Sequence, residues 1–318
     1  MSEWTTADMP DLSGETVIVT GANSGLGFEG ARAFADAGAT VVMACRSVER
    51  GESAADEIRH DAPAGDLSVL ELDLADLDSV ATFAEAFTDA YDDLRVLCNN
   101  AGVMAIPRSE TEDGFEMQFG VNHLGHFALT GHLLDTLRET DGESRVVTQS
   151  SGLHENGEMR FDDLHGEREY DKWGAYGQSK LANLLFAFEL DRRLDAAGVD
   201  GVTSLGCHPG YADTNLQRRG PEQAGSTLRL AMMKVANAVV AQDAATGALP
   251  MLYAATAPDI DGGEYVGPSG LMNMRGPPAE DTPSREARDP ERARRLWSVS
   301  EDLTGVTYDL PEATATAD

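Results

Sequence analysis

Residues 16–30 read TVIVTGANSGLGFEG: five β-favouring residues, a glycine-rich turn, then the opening of a helix. Gly21, Gly25 and Gly27 fall in that turn, spaced Gly-x3-Gly-x-Gly. A phosphate needs close backbone approach and open N–H groups at a helix N-terminus, and glycines permit both. A glycine trio alone is a weak signal, because glycine is common in turns. Placed between a first strand and a first helix, it becomes specific.

The pattern continues outward from that turn. TVVMAC (40–45), DLSVLELDL (66–74), LRVLCNN (94–100), SRVVTQS (144–150) and VDGVTSLGCHPG (199–210) are short β-rich runs. Between them lie helical patterns: GFEGARAFADAG, VERGESAADEIRH, LDSVATFAEAFTDAY, a region from about Thr111 to Thr140, and WGAYGQSKLANLLFAFEL (173–190). Such alternation predicts an α/β protein with a Rossmann-type, doubly wound parallel sheet. We expect about seven strands, with helices on both faces, in a single domain. That domain is expected over 12–310, with an arm at 1–11 and a flexible tail at 311–318. Pro268 to Pro290, rich in Pro, Gly and acids, reads as loop, and RARRLWSVSEDLTG (292–305) as a last helix.

Charge narrows the setting. Lys+Arg 24 against Asp+Glu 55 gives −31, and the lysines are three: Lys172, Lys180 and Lys234. The acids are spread among periodic apolar segments, which indicates a folded chain with a carboxylate-rich surface rather than an acidic tail. The pattern resembles proteins of salt-loving cytoplasm, where counterions screen self-repulsion. Nucleic acid is disfavoured as a partner, since phosphate contacts need clustered Lys and Arg. Cys45, Cys98 and Cys207 show no CxxC spacing and read as reduced, buried thiols of a cytoplasmic protein. MSEWTTADMP lacks a signal pattern, and no apolar run reaches the roughly 18 residues of a membrane span.

TGANSGLG (20–27) and NNAG (99–102) together resemble the cofactor motifs of the short-chain dehydrogenases/reductases. The resemblance runs from about Leu12 to the C-terminal helix. In that context Tyr176 and Lys180, spaced Tyr-x3-Lys, match the family's catalytic pair. Residues i and i+4 share a helix face, so both can point into one cleft. A phenol titrates near 10 unaided, and a nearby ammonium is expected to draw Tyr176 down toward neutrality. The competing reading is an amphipathic helix edge with two snorkelling side chains.

The resemblance implies further roles. Ser151, in VVTQSSG, would polarise a substrate carbonyl, with Ser150 as the alternative. Asn122, in FGVNHLGHF, would hold a water linking the lysine to solvent, or serve as a buried amide satisfying backbone groups. Gly21, Asn23, Ser24, Gly25, Leu26 and Gly27 would hold the dinucleotide. Asp73 and Leu74 would lie near the adenine, although Asp73 reads equally as a turn or helix N-terminal acid. Asn100, Ala101 and Gly102 would lie beneath the cofactor. Within CHPGYADT (207–214), Pro209 and Gly210 would face the nicotinamide and Thr214 its carboxamide or the pyrophosphate; an ordinary strand-ending turn is the alternative.

At the end of the second strand stands ACRS, with neutral Cys45 where NAD-preferring relatives carry Asp, followed by Arg46. In so cation-poor a chain, Arg46 suggests a 2′-phosphate, hence NADP over NAD. Pairing of Arg46 with Glu49 is the competing reading. His123, His126 and His132 lack a ligand set for a metal and read as packing or surface residues.

The resemblance thus implies an oxidoreductase that moves a hydride between nicotinamide and a carbonyl or alcohol. Between Ser151 and Tyr176 lie 24 residues, an extension similar to that of the branch holding retinol dehydrogenases and the WW-domain oxidoreductase. Residues 152–172, with a lid at 211–240, are expected to enclose an apolar substrate. A nucleotide-bound sensor without turnover is the alternative, and a sugar-nucleotide epimerase is disfavoured by the glycine spacing. LANLLFAFEL is more apolar than one core-facing stripe needs, which suggests a dimer or tetramer or a helix buried within one subunit.

Overall fold

The computed structural model describes residues 3–210, 243–270 and 273–312. The expected lid at 211–240, with Thr214, lies outside the described residues. In chain order the elements are β1 (Thr16–Thr20), α1 (Gly25–Asp36), β2 (Thr40–Cys45), α2 (Val48–His60), β3 (Leu67–Glu71), α3 (Leu77–Ala90) and β4 (Val96–Asn99). A single turn α4 (Met117–Phe119) runs through a π-helical stretch (Gly120–Leu124) into α5 (Gly125–Glu139), followed by β5 (Ser144–Gln149). Then come α6 (Lys172–Ala197), β6 (Val202–Cys207), α7 (Ala244–Thr256), β7 (Tyr265–Pro268), β8 (Pro278–Glu280) and α8 (Pro290–Thr304).

The strands form one sheet in the order β3-β2-β1-β4-β5-β6-β7-β8. The expected count of about seven is therefore eight, and β8 runs antiparallel to β7. β8 lies inside the stretch read as loop. It has three residues and begins with a proline, so it carries no period for sequence to display, and as the edge strand it tolerates that proline. The helix expected from Thr111 starts instead at Met117, after an antiparallel bridge between Glu110 and Glu116.

The central strands β1, β2 and β4 are mostly apolar because both faces are covered. Val17, Val19, Val41 and Met43 point to a core shared with Phe34 of α1, Ile58 of α2 and Met251 of α7. Ile18, Val42, Leu97 and Val146 point the other way, onto Phe83 of α3, Phe127 of α5 and Trp297 of α8. This alternation fixes the register, for instance Val17↔Val41 and Cys98↔Val147.

The apolarity of α6 has an explanation within one chain. Phe186, Leu190 and Leu194 face the sheet-side core. Leu181, Leu184, Leu185 and Phe188 face a third core closed by Met159 and Leu164 of the extension and by Ala287 and Leu296. The extension therefore covers the helix's second side, and LANLLFAFEL needs no second subunit. Its one acid, Glu189, is fully buried and accepts hydrogen bonds from Arg192 Nη2 (2.7 Å) and Arg193 Nε (2.9 Å). Among the described residues no helix is long and apolar enough to cross a membrane.

Candidate active site

Strand order reverses between β1 and β4, and in such sheets ligands bind at the carboxyl ends beside the reversal. Here Thr20, the last residue of β1, is a hub. Its Oγ1 accepts from the backbone N–H groups of Asn100 and Ala101, each at 2.9 Å. His126 Nε2 lies 2.9 Å from the same oxygen, while its Nδ1 meets the Asn122 carbonyl at 3.0 Å. A carbonyl only accepts, so Nδ1 carries the proton and Thr20 donates to Nε2. Burial lowers His126 to about 4 and His123 to about 3, so both rings stay neutral. These histidines pack in the core, and among the described residues no cluster suits a metal ion.

The Thr20 hub holds the turn after β4 against the glycine turn. Asn100 Nδ2 also donates to the Thr20 carbonyl at 2.8 Å. A Cβ on Gly27 would lie 2.5 Å from the Gly21 oxygen and 2.6 Å from Asn100 Nδ2, so only glycine fits there. Ser24 caps α1 without a side-chain hydrogen bond, which leaves the first-turn N–H groups to an anion. The residues present thus fit a dinucleotide. Gly21, Asn23, Ser24, Gly25, Leu26, Gly27, Arg46, Asp73, Leu74, Asn100, Ala101 and Gly102 line one cleft, joined by Arg50, Leu72 and Val121. Asp73 also caps its own turn, accepting from Ala75 N at 3.0 Å, so both of its readings coexist; the N-cap of α3 is Asp76. Among the described residues neither Arg46 nor Arg50 makes an ion pair, so the competing reading, Arg46 paired to Glu49, is not what the structure has. Sequence reading missed Arg50, although a second arginine in ACRSVER was the available signal.

The candidate reacting groups gather where β5 meets α6. Lys180 Nζ donates to the Gln149 carbonyl at 2.9 Å, which also accepts from Asn183 Nδ2 at 2.9 Å. Ser150 Oγ donates in return to the Lys180 carbonyl at 2.8 Å. Ser150 is thereby committed to holding the helix, whereas Ser151 Oγ accepts from Leu153 N at 3.2 Å and lies close enough to Tyr176 to draw its phenol downward. Of the two serines, Ser150 is tied into the helix and Ser151 is the one beside the phenol. The Lys180 ammonium lies 5.9 Å from the Tyr176 ring centre, on the same face. Asn122 spends its amide on protein groups: Oδ1 accepts from Val103 N (2.7 Å), and Nδ2 donates to the Val103 carbonyl (2.9 Å) and Ser179 Oγ (2.9 Å). A Cβ on Gly102 would lie 3.0 Å from Asn122 Oδ1 and 3.6 Å from Lys180 Nζ, so this cluster abuts the nucleotide cleft. Pro209 and Gly210 follow β6 after His208, outside that cleft's lining.

One electrostatic expectation is corrected. Burial pushes Tyr176 up to about 12, opposed by the nearby Ser151 hydroxyl, rather than down toward neutrality. Burial also lowers Lys180 to about 8. Desolvation penalises both charged forms and is the largest cause of each shift. The phenol is held protonated.

Comparison with known proteins agrees with this architecture. The short chain dehydrogenase family profile matches residues 15–225. Retinol dehydrogenase 12 of Mus musculus is 41% identical over 300 residues, 94% of this chain and 89% of its own. Polyprenol dehydrogenase of Mus musculus is 44% identical over 300 residues, 93% of this chain and 86% of its own. The crystal structure of an uncharacterized protein from Mycobacterium paratuberculosis superposes with a TM-score of 0.80 at 44% identity, covering 97% of this chain and all of that one.

The hub can be tested by stability. Thr20→Val keeps the volume but strips the acceptor from two N–H groups, which should cost about 1–3 kcal/mol in urea unfolding. An unchanged midpoint would show that the two turns do not depend on Thr20.

Proposed function

Because the chain belongs to the short-chain dehydrogenase family, as an NAD(P)-dependent oxidoreductase, we propose that it prefers NADP and acts on an apolar carbonyl compound or its alcohol. The observation that carries the cofactor preference is the pair of arginines. Arg46 and Arg50 line the cleft beyond β2 without ion-pair partners among the described residues, in a chain of net charge −31. Cys45 beside them is buried and neutral, with its thiol pushed up to about 11 by burial, so no carboxylate at that position repels a 2′-phosphate. Gly21, Asn23, Ser24, Gly25, Leu26 and Gly27 would cradle the pyrophosphate, and Asp73, Leu74, Asn100, Ala101 and Gly102 the adenosine side and the floor.

A bound nicotinamide supplies or takes the hydride. The chain's own residues then manage the oxygen of the substrate. Ser151 orients the carbonyl oxygen, and Tyr176 donates the proton that the developing alkoxide needs. A phenol held protonated suits that donor role. Lys180 keeps a positive charge beside the phenol below about pH 8, and Asn122 fixes the strand-end loop against α6. Pro209 and Gly210 would bound the nicotinamide side, with Thr214 following them.

The apolar substrate is supported by the mouth of the site. Leu153 and Trp173 are exposed large apolar side chains, two residues after Ser151 and three before Tyr176. Residues three apart share a helix face, so Trp173 continues the stripe that carries Tyr176 and Lys180. The relatives named retinol and polyprenol dehydrogenases are consistent with such a substrate. We further propose a salt-rich cytoplasm as the setting, from the acidic surface and the three free, buried cysteines.

The reading is tested with a panel of apolar aldehydes, ketones and alcohols in molar KCl. NADPH is expected to serve better than NADH, and Arg46→Asp should lower kcat/KM with NADPH about 10–100-fold, the worth of a charge-assisted hydrogen bond. Activity with NADH alone would overturn the cofactor assignment. Tyr176→Phe should bind NADPH as before and lose turnover by roughly 10²–10⁴; undiminished turnover would remove the phenol from the chemistry.

A further inference from the structure

We infer that His208 and Asp281 form a positioning pair that holds the turn after β6 in shape for the reaction proposed above, on which this inference rests. Neither residue lines the nucleotide cleft. Both act through the backbone.

His208 is the first residue past β6 and is buried. Its N–H donates to the Val266 carbonyl of β7 at 2.9 Å. On the other side β6 pairs with β5, and Ser150 N donates to the Cys207 carbonyl at 2.7 Å. The turn His208–Gly210 therefore stands directly beside the Ser150–Ser151 strand end. At the carboxyl edge of this sheet, that is where substrate oxygen and reacting ring must meet.

Asp281 follows β8, the antiparallel strand that extends the sheet. Its Oδ1 accepts from Asn273 Nδ2 (2.7 Å) and from Thr282 N (2.8 Å). Its Oδ2 lies 2.9 Å from His208 Nε2. A carboxylate so engaged accepts only, so Nε2 must carry the imidazole proton. Nδ1 is then a bare acceptor, and the Gly210 N–H points at it from 3.3 Å. Gly210 has φ +65°, and a Cβ there would strike the Met274 carbonyl and Pro268. The turn is thus a left-handed glycine, pinned by an imidazole whose tautomer the acid selects.

The same support reaches the Ser151 loop. Tyr265 of β7 stacks on His208 at 5.1 Å and meets His154 edge-on at 5.5 Å. His154 Nδ1 donates to the Ser151 carbonyl at 2.7 Å, while its Nε2 accepts from Ser284 N at 3.1 Å. The two histidines take opposite tautomers, each dictated by a fixed partner. Both loops at the reacting edge consequently lean on β7 and on the segment 281–284.

Asp281→Asn tests the pair with little change of shape. An amide offers an oxygen or an NH2, so the tautomer is no longer forced, and an Nδ1–H form would face the Gly210 N–H donor to donor. Nitrogen-15 NMR of the seven histidines, with His208 assigned by His208→Asn, should show His208 protonated at Nε2 in the wild type and shifted toward Nδ1 in Asp281→Asn. With NADPH and a substrate from the panel, kcat should fall about 10–100-fold through misplacement of the turn. The substrate KM should stay within about twofold, since no substrate contact is removed. A wild-type His208 protonated at Nδ1 would overturn the pair whatever the activity. So would an unchanged kcat in Asp281→Asn, or a kcat that falls only in proportion to lost folded protein, measured by thermal melting. Wild-type turnover is established first, because its absence would count against the reductase reading instead.

Discussion

Lys180 carries its ammonium out of water at the junction of β5 and α6, and the site is arranged around what that burial demands. A charge removed from solvent is costly unless it is hydrogen-bonded. The Gln149 carbonyl meets it at 2.9 Å and takes Asn183 as a second donor, while Ser150 Oγ returns a bond to the Lys180 carbonyl. This reciprocal clasp welds a strand end to a helix. It fixes Ser151, one residue past the strand clasp, against Tyr176, one turn before the helix clasp. The site's geometry is the by-product of satisfying one buried cation.

The same burial lowers Lys180 from 10.5 to about 8. The sign of the consequence follows from linkage. Below about pH 8 both folded and unfolded chains hold the proton, and the fold bears the whole burial cost, roughly 3 kcal/mol. Between about 8 and 10.5 the unfolded chain binds the proton more tightly, so this group's cost is relieved as pH rises. A site kept at such a cost is consistent with function. It also explains why lysine, stripped from nearly all of this chain, persists here: a guanidinium, bulkier and never deprotonated in this range, could not replace it in that space.

Much of this was legible in the sequence, for physical reasons. β1, β2 and α2 were read to the residue, because strands buried on both faces and a helix with regular polar spacing leave strong patterns. The glycine turn was legible because close approach at Gly27 admits no side chain. Every cleft residue expected from the first four strand ends lines one cavity. What escaped notice depends on contacts distant in sequence. β8 is three residues long and pairs only at an edge. Gln149 matters through its backbone oxygen, which no residue type encodes. The all-round apolarity of α6 left a second subunit and burial within one chain both open, and no residue of the extension announces that it covers the helix's far side. The direction of the Tyr176 shift was misjudged because spacing reveals the neighbouring charge and hides the burial that is the shift's largest cause.

The most direct measurement of the account is the titration of the lysines themselves. With three lysines in the chain, a carbon-13 NMR titration of lysine Cε from pH 6 to 11 yields signals few enough to assign by Lys180→Met. The account requires the Lys180 signal to titrate near 8. A Lys180 midpoint at or above 10.5 would mean that the ammonium is solvated, and the clasp between β5 and α6 would not be what organises the site.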